Sequence, residues 1–187
     1  MSKSKNNLIT KHYSGKLGNQ ISLRNLRHCS VMAILPDASS KGPSAKQRAH
    51  QHLFKKASRY ARSVYSDPFL KNIYEKKTSK SLTVYKLALS DFLNPPVVHK
   101  IDSSGYKGKI GDMIMVDAVS RFGLRQIKIT ITGPNGEFIE EGNCILDTFH
   151  ILWEYTVTAE QSPLPGTTIT ATAYDYPGHK GVGILKL

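Results

Sequence analysis

At Asn94–Pro95–Pro96 the chain changes its hydrophobic period, and this change limits its fold more than any other feature. Proline lacks a backbone N–H and pushes the residue before it out of the helical region, so a helix that reaches this point must end there. Before the two prolines, apolar residues recur every three or four positions. After them they alternate. Helical segments followed by short alternating strands predict an α+β chain of two domains, divided at Pro96.

The helical side of the boundary predicts three helices. Ser44 and Gln47 have the spacing of a capping box, which starts the first helix. At about 100° per residue, Ala49, Leu53, Phe54, Ala57, Tyr60, Ala61, Val64 and Tyr65 gather on one side, where a core would take them. Arg48, His52, Lys55, Lys56, Arg59 and Arg62 gather on the other, and residues 44–63 contain no acid. Asp67 followed by Pro68 marks a second start, with Leu70, Ile73, Tyr74 and Lys77 at helical spacing. Residues 81–94 form the third, with Val84, Leu87, Ala88, Leu89, Phe92 and Leu93 as its core side. Upstream, Ile21 and Leu23, then Val31, Ala33 and Leu35, alternate across a turn at 25–28, which predicts a β-hairpin. Residues 1–12 read as a flexible basic tail, and residues 13–96 as a hairpin with a three-helix basic module.

Beyond Pro96, Ile114/Val116/Ala118, Ile127/Ile129/Ile131 and Ile169/Ala171/Ala173 alternate, and Gly133–Pro134–Asn135–Gly136 is a turn between two such runs. Trp153 lies in another run and is expected inside the core. Short strands separated by turn residues predict an immunoglobulin-like β-sandwich over 97–187.

The segments SGKLGN, PSAKQRAHQHLFKKASRYA, DPFLKNIYEKK and YKLALSDFLNPP resemble those of an uncharacterised bacterial family. In that family a small basic hairpin-plus-helices module precedes an immunoglobulin-like domain. GEFIEEGN, WEYTVTA and ITATAYDYPGH are similar to the strand pattern of bacterial immunoglobulin-like domains, with His179 where that pattern ends in Asn. The resemblance implies architecture and no activity.

Charge is what bears on function. The net charge is +12, and its distribution is uneven. Residues 1–96 hold 18 Lys and Arg against 4 Asp and Glu, while 97–187 hold 8 against 10. A one-signed helix face on a strongly basic half points to a polyanion. The candidate nucleic-acid contacts are Arg24, Arg27, Lys46, Arg48, Lys55, Lys56, Arg59 and Arg62, joined by Lys3, Lys5 and Lys11 of the tail. Long cationic side chains on a rigid face can follow phosphates without reading bases. The alternative is a structural or assembly protein, phage-related or surface-associated, whose basic half docks an acidic protein. Tyr60, Tyr65, Phe69, Tyr74, Tyr85 and Phe92 have helical spacing that favours the core over base stacking.

Catalytic and metal patterns are missing from the sequence. His50 and His52 are two apart on a helix, no HExxH or CxxC occurs, and His28 and Cys29 point to opposite sides of a strand. Asp147 and Asp175 lack the dense oxygen spacing of a calcium loop. These observations predict a binding protein that is not an enzyme and uses no cofactor, metal or small-molecule substrate. Cys29 and Cys144 read as thiols. With no apolar leader at the start and no 18-residue apolar run, a cytoplasmic protein without a membrane partner is expected.

Overall fold

The structure is a computed structural model that describes residues 2–4, 13–18, 20–26, 29–35, 42–79, 81–148, 151–162 and 164–187. The chain divides into two compact units, Met1–Ala45 and Lys46–Leu187.

The first unit is a four-stranded antiparallel sheet of β1 (Ser2–Ser4), β2 (Gly15–Leu17), β3 (Ile21–Leu26) and β4 (Cys29–Ile34), in the order β1-β4-β3-β2. The expected hairpin is its centre, with Ile21 opposite Ile34 and Leu26 opposite Cys29. Ser2–Ser4, from the segment read as a tail, pair with Met32–Ser30. Residues 5–12 lie outside the described residues. Among the described residues here, Val31 and Ser22 have buried side chains, and Ser22 Oγ donates to the Ala33 carbonyl at 3.4 Å.

The second unit begins with α1 (Ala45–Ser63), a 3₁₀ turn (Val64–Ser66), α2 (Pro68–Glu75) and α3 (Val84–Leu93). Asp67 caps α2 as its sequence signal implies. One carboxylate oxygen accepts from the amides of Phe69 at 2.9 Å and Leu70 at 3.2 Å. Thr83 precedes α3, and the helix stops at Leu93, before the two prolines. Two four-stranded antiparallel sheets follow. One is β5 (Val97–Asp102), β6 (Met113–Val119), β10 (Trp153–Thr156) and β9 (Ile145–Leu146), and the other β12 (Lys180–Lys186), β11 (Thr168–Tyr174), β7 (Gln126–Thr132) and β8 (Phe138–Asn143), each in spatial order.

These sheets bury one apolar cluster. Ile114, Val116, Ile127, Ile129, Ile131 and Ile169 are its largest fully buried aliphatic members apart from Val157, each contributing about 1.5–3 kcal/mol. Strands β6, β7 and β11 alternate as their sequences do. Trp153 differs from expectation: it is half-buried against the cluster, and Tyr155, two residues on, takes the buried place. Gly181 lets β5 run close over β12, since a Cβ there would meet the Pro96 carbonyl.

The predicted fold class is corrected. Strands in three sheets dominate, and a hairpin with a three-helix basic module is not seen. The N-terminal strands form a sheet in their own unit, and the helices pack on the end of the sheets that follow them. Phe122, in the β6–β7 connection, supplies the reason. It shares a core with Ala61, Val64, Tyr74, Val84, Leu87 and Ala88, while its carbonyl accepts from Lys77 Nζ at 2.6 Å. A period identifies helices but does not show which surface they cover. Among the described residues, no helix is long and apolar enough to cross a membrane.

Candidate nucleic-acid interface

Helix α1 carries most of the predicted contacts. Every residue from Ala45 to Lys56 is exposed, and burial starts at Ala57. Leu53 and Phe54, read as core, remain 41% and 45% exposed. The half-helix that leads into the 3₁₀ turn is therefore the anchored half, through Ala57, Ala61 and the following Val64.

Helical geometry groups Arg48, Lys55, Lys56, Arg59 and Arg62 within an arc of about 120°. Lys46 does not join them. It precedes Ala57 by eleven residues, which puts it within about 20° of the side that the core takes. Arg24 is exposed on β3, in the other compact unit. Arg27 lies outside the described residues, as do Lys5 and Lys11. None of the ion pairs among the described residues involves Lys55, Lys56, Arg59 or Arg62. Like-charged neighbours on a helix, such as Lys55 and Arg59, cost a few tenths of a kcal/mol per pair.

Behind this arc lies a polar network that the sequence reading missed. Tyr74 Oη donates to Asp91 Oδ2 at 2.6 Å, and Tyr60 Oη is 2.9 Å from Tyr74 Oη, so Tyr60 donates to Tyr74. Tyr60 also packs on Phe92, with ring centroids 5.6 Å apart. The network ties all three helices together and fixes Tyr60, the residue next to Arg59. Asp91 is fully buried, and its Oδ1 has no hydrogen-bond partner. Burial pushes its carboxyl up to about 6; the Tyr74 hydrogen bond works against the rise, and the buried Asp175 adds to it. Burial likewise raises Tyr60, to about 12, and raises Tyr74, which the bond to Asp91 pushes further in the same direction.

The two loop acids considered for calcium have other roles. Asp175 Oδ1 accepts from the His179 amide at 2.6 Å, and its Oδ2 lies 3.0 Å from His179 Nδ1. The His179 ring sits edge-on to Phe92 at 4.5 Å, a second tie between helices and sheets. Asp147 Oδ1 accepts from the amides of Ile151 and Leu152. Among the described residues no three His, Cys, Asp or Glu side chains gather as metal ligands. Cys29 and Cys144 are free thiols.

The aromatic residues divide. Tyr74 is buried, and Tyr60, Tyr85 and Phe92 are half-buried, as core spacing implies. Tyr65 and Phe69 are 52% and 68% exposed. Phe69 lines a cleft of about 370 Å³ with Asp67, Leu70, Arg125 and Tyr176, at the start of α2 and against the β6–β7 and β11–β12 connections. Spacing within α2 foretold that Leu70 and Tyr74 face inward. The cleft needs Arg125 and Tyr176 from distant loops, so no local signal could reveal it.

No protein-family model matches the chain, and no curated protein does. A solved structure, "The crystal structure of CopC from Methylosinus trichosporium OB3b", is similar at 12% identity and a TM-score of 0.35. It covers 48% of this chain and 87% of that one. A likeness this slight carries no argument.

Proposed function

We propose that the chain is a non-enzymatic binding protein whose helix α1 engages nucleic acid through backbone phosphates, with the two-sheet part serving as a protein-interaction or spacer element. The observation that carries this reading is the arc of Arg48, Lys55, Lys56, Arg59 and Arg62 on a helix exposed through its first three turns and anchored at its other end. Folding gains nothing from concentrating like charge there. Neutralising phosphates with release of counterions reverses the cost.

Fluorescence anisotropy with a labelled duplex tests it. If about four phosphates are neutralised, the log–log salt slope is near −3 to −4. Replacing Lys55, Lys56, Arg59 and Arg62 together by Gln is expected to flatten the slope and weaken binding alike for all sequences, with the circular dichroism unchanged. A wild type that binds no polyanion at low salt, or a quadruple variant that binds as tightly, would overturn the reading. The first result would leave the face to an acidic protein partner.

A further inference from the structure

The cleft beside α2 has the chemistry of a seat for an unpaired base. Phe69 stands 68% exposed on its wall, and Tyr176 contributes a second aromatic ring. Exposing a phenyl ring at a helix start is unfavourable in an isolated domain, and an aromatic surface of this kind is where a planar π-system stacks. Leu70 adds an apolar wall. Arg125 adds an exposed guanidinium, for which no ion pair is present among the described residues.

Asp67 gives the cleft a direction. One of its oxygens is committed to the amides of Phe69 and Leu70, so the carboxylate is fixed at this end. A phosphate next to it would be repelled, whereas a neutral base with amino or imino hydrogens would not. Arg125 is then the group that takes the phosphate. Arg62, the last cation of the α1 arc, is only five residues before Asp67. Along the chain, the 3₁₀ turn Val64–Ser66 is what separates the arc from the cleft.

We infer that this cleft receives one unpaired base of a single strand, DNA or RNA, whose backbone runs along the basic face of α1. The inference rests on the phosphate-binding reading and adds to it a preference for single strands over duplex. Stacking tolerates any base, so little sequence preference is expected.

The test uses the full chain and four labelled probes in anisotropy at low salt: a short single-stranded DNA, its ribo equivalent, an abasic strand of the same length, and a duplex. The base-bearing strands are expected to bind roughly tenfold tighter than the abasic strand. Phe69→Ala is expected to abolish that difference and to leave the abasic strand and the duplex unchanged. Phe69→Trp is expected to restore it, with its added emission quenched on binding. The DNA and RNA arms show which source of the base is preferred. Equal binding of base-bearing and abasic strands by the wild type, or Phe69→Ala weakening every probe alike, would overturn the base seat while leaving the basic face standing. No binding of any probe would remove both.

Discussion

Asp91 stands where a helix of this pattern ordinarily places an aliphatic side chain. Val84, Leu87, Ala88 and Asp91 follow the i, i+3, i+4, i+7 spacing of a buried face, and all four are buried. The signal was in the sequence. An acid in the register of a core stripe either finds a donor or stays neutral, and Asp91 has one donor for two oxygens. The sign of its pH effect follows from the direction of the shift. A carboxyl held at about 6 in the folded chain and at 3.8 otherwise contributes stability that is fully present below pH 3.8 and lost as pH rises through about 6. Asp91→Asn keeps an oxygen to accept from Tyr74 and removes the buried charge. It is expected to stabilise the chain at pH 8, by up to about 3 kcal/mol, and to change little at pH 4. Urea unfolding of both proteins at the two pH values measures this. A variant destabilised equally at both would show that the carboxylate is compensated by neighbours such as Lys77.

The helix α1 separates what spacing reveals from what it does not. Its two sides were legible, because the angles follow from helix geometry alone. Where along the helix the core begins was not. Ala61 and Tyr60 meet α2, α3 and Phe122, and Ala57 is buried, whereas Ala49, Leu53 and Phe54 have the right angle and no buried position. The reach of a core depends on the partner's length, and the partner came from another part of the chain. Lys46 entered the candidate contacts for a different reason: charge placed it there, and its angle, which the sequence alone gives, removes it. Hydrogen exchange resolves the two halves of α1. Amides over 57–63 are expected to be protected at least about tenfold more than those over 49–56, because local opening of the first turns breaks no buried contact. Binding a single strand along the arc is expected to raise protection in 49–56. Uniform protection over the whole helix in the free protein would mean that its first half is covered.

For the whole molecule, alternation located strands β6, β7 and β11 but not their order, since Ile127 and Ile169 carry no mark of being neighbours across a sheet. The change of period and charge at Pro96 suggested an independent boundary there, and the packing argues against cutting at it. Phe122 is buried under α1, α2 and α3, Lys77 donates to its carbonyl, and Phe92 covers His179. A fragment of residues 97–187 would expose Phe122 and leave His179 without the Phe92 ring. Exposing one large aromatic costs about 1.5–3 kcal/mol, and a kcal/mol shifts the midpoint of a domain this size by roughly 4–8 °C. Residues 46–187 are therefore expected to unfold in one cooperative transition. The 97–187 fragment is expected to melt roughly 10 °C lower and to bind a hydrophobic dye. Calorimetry of the two fragments decides it. Equal midpoints would make the sheets self-sufficient and the helices a separate layer, and would return the boundary to Pro96.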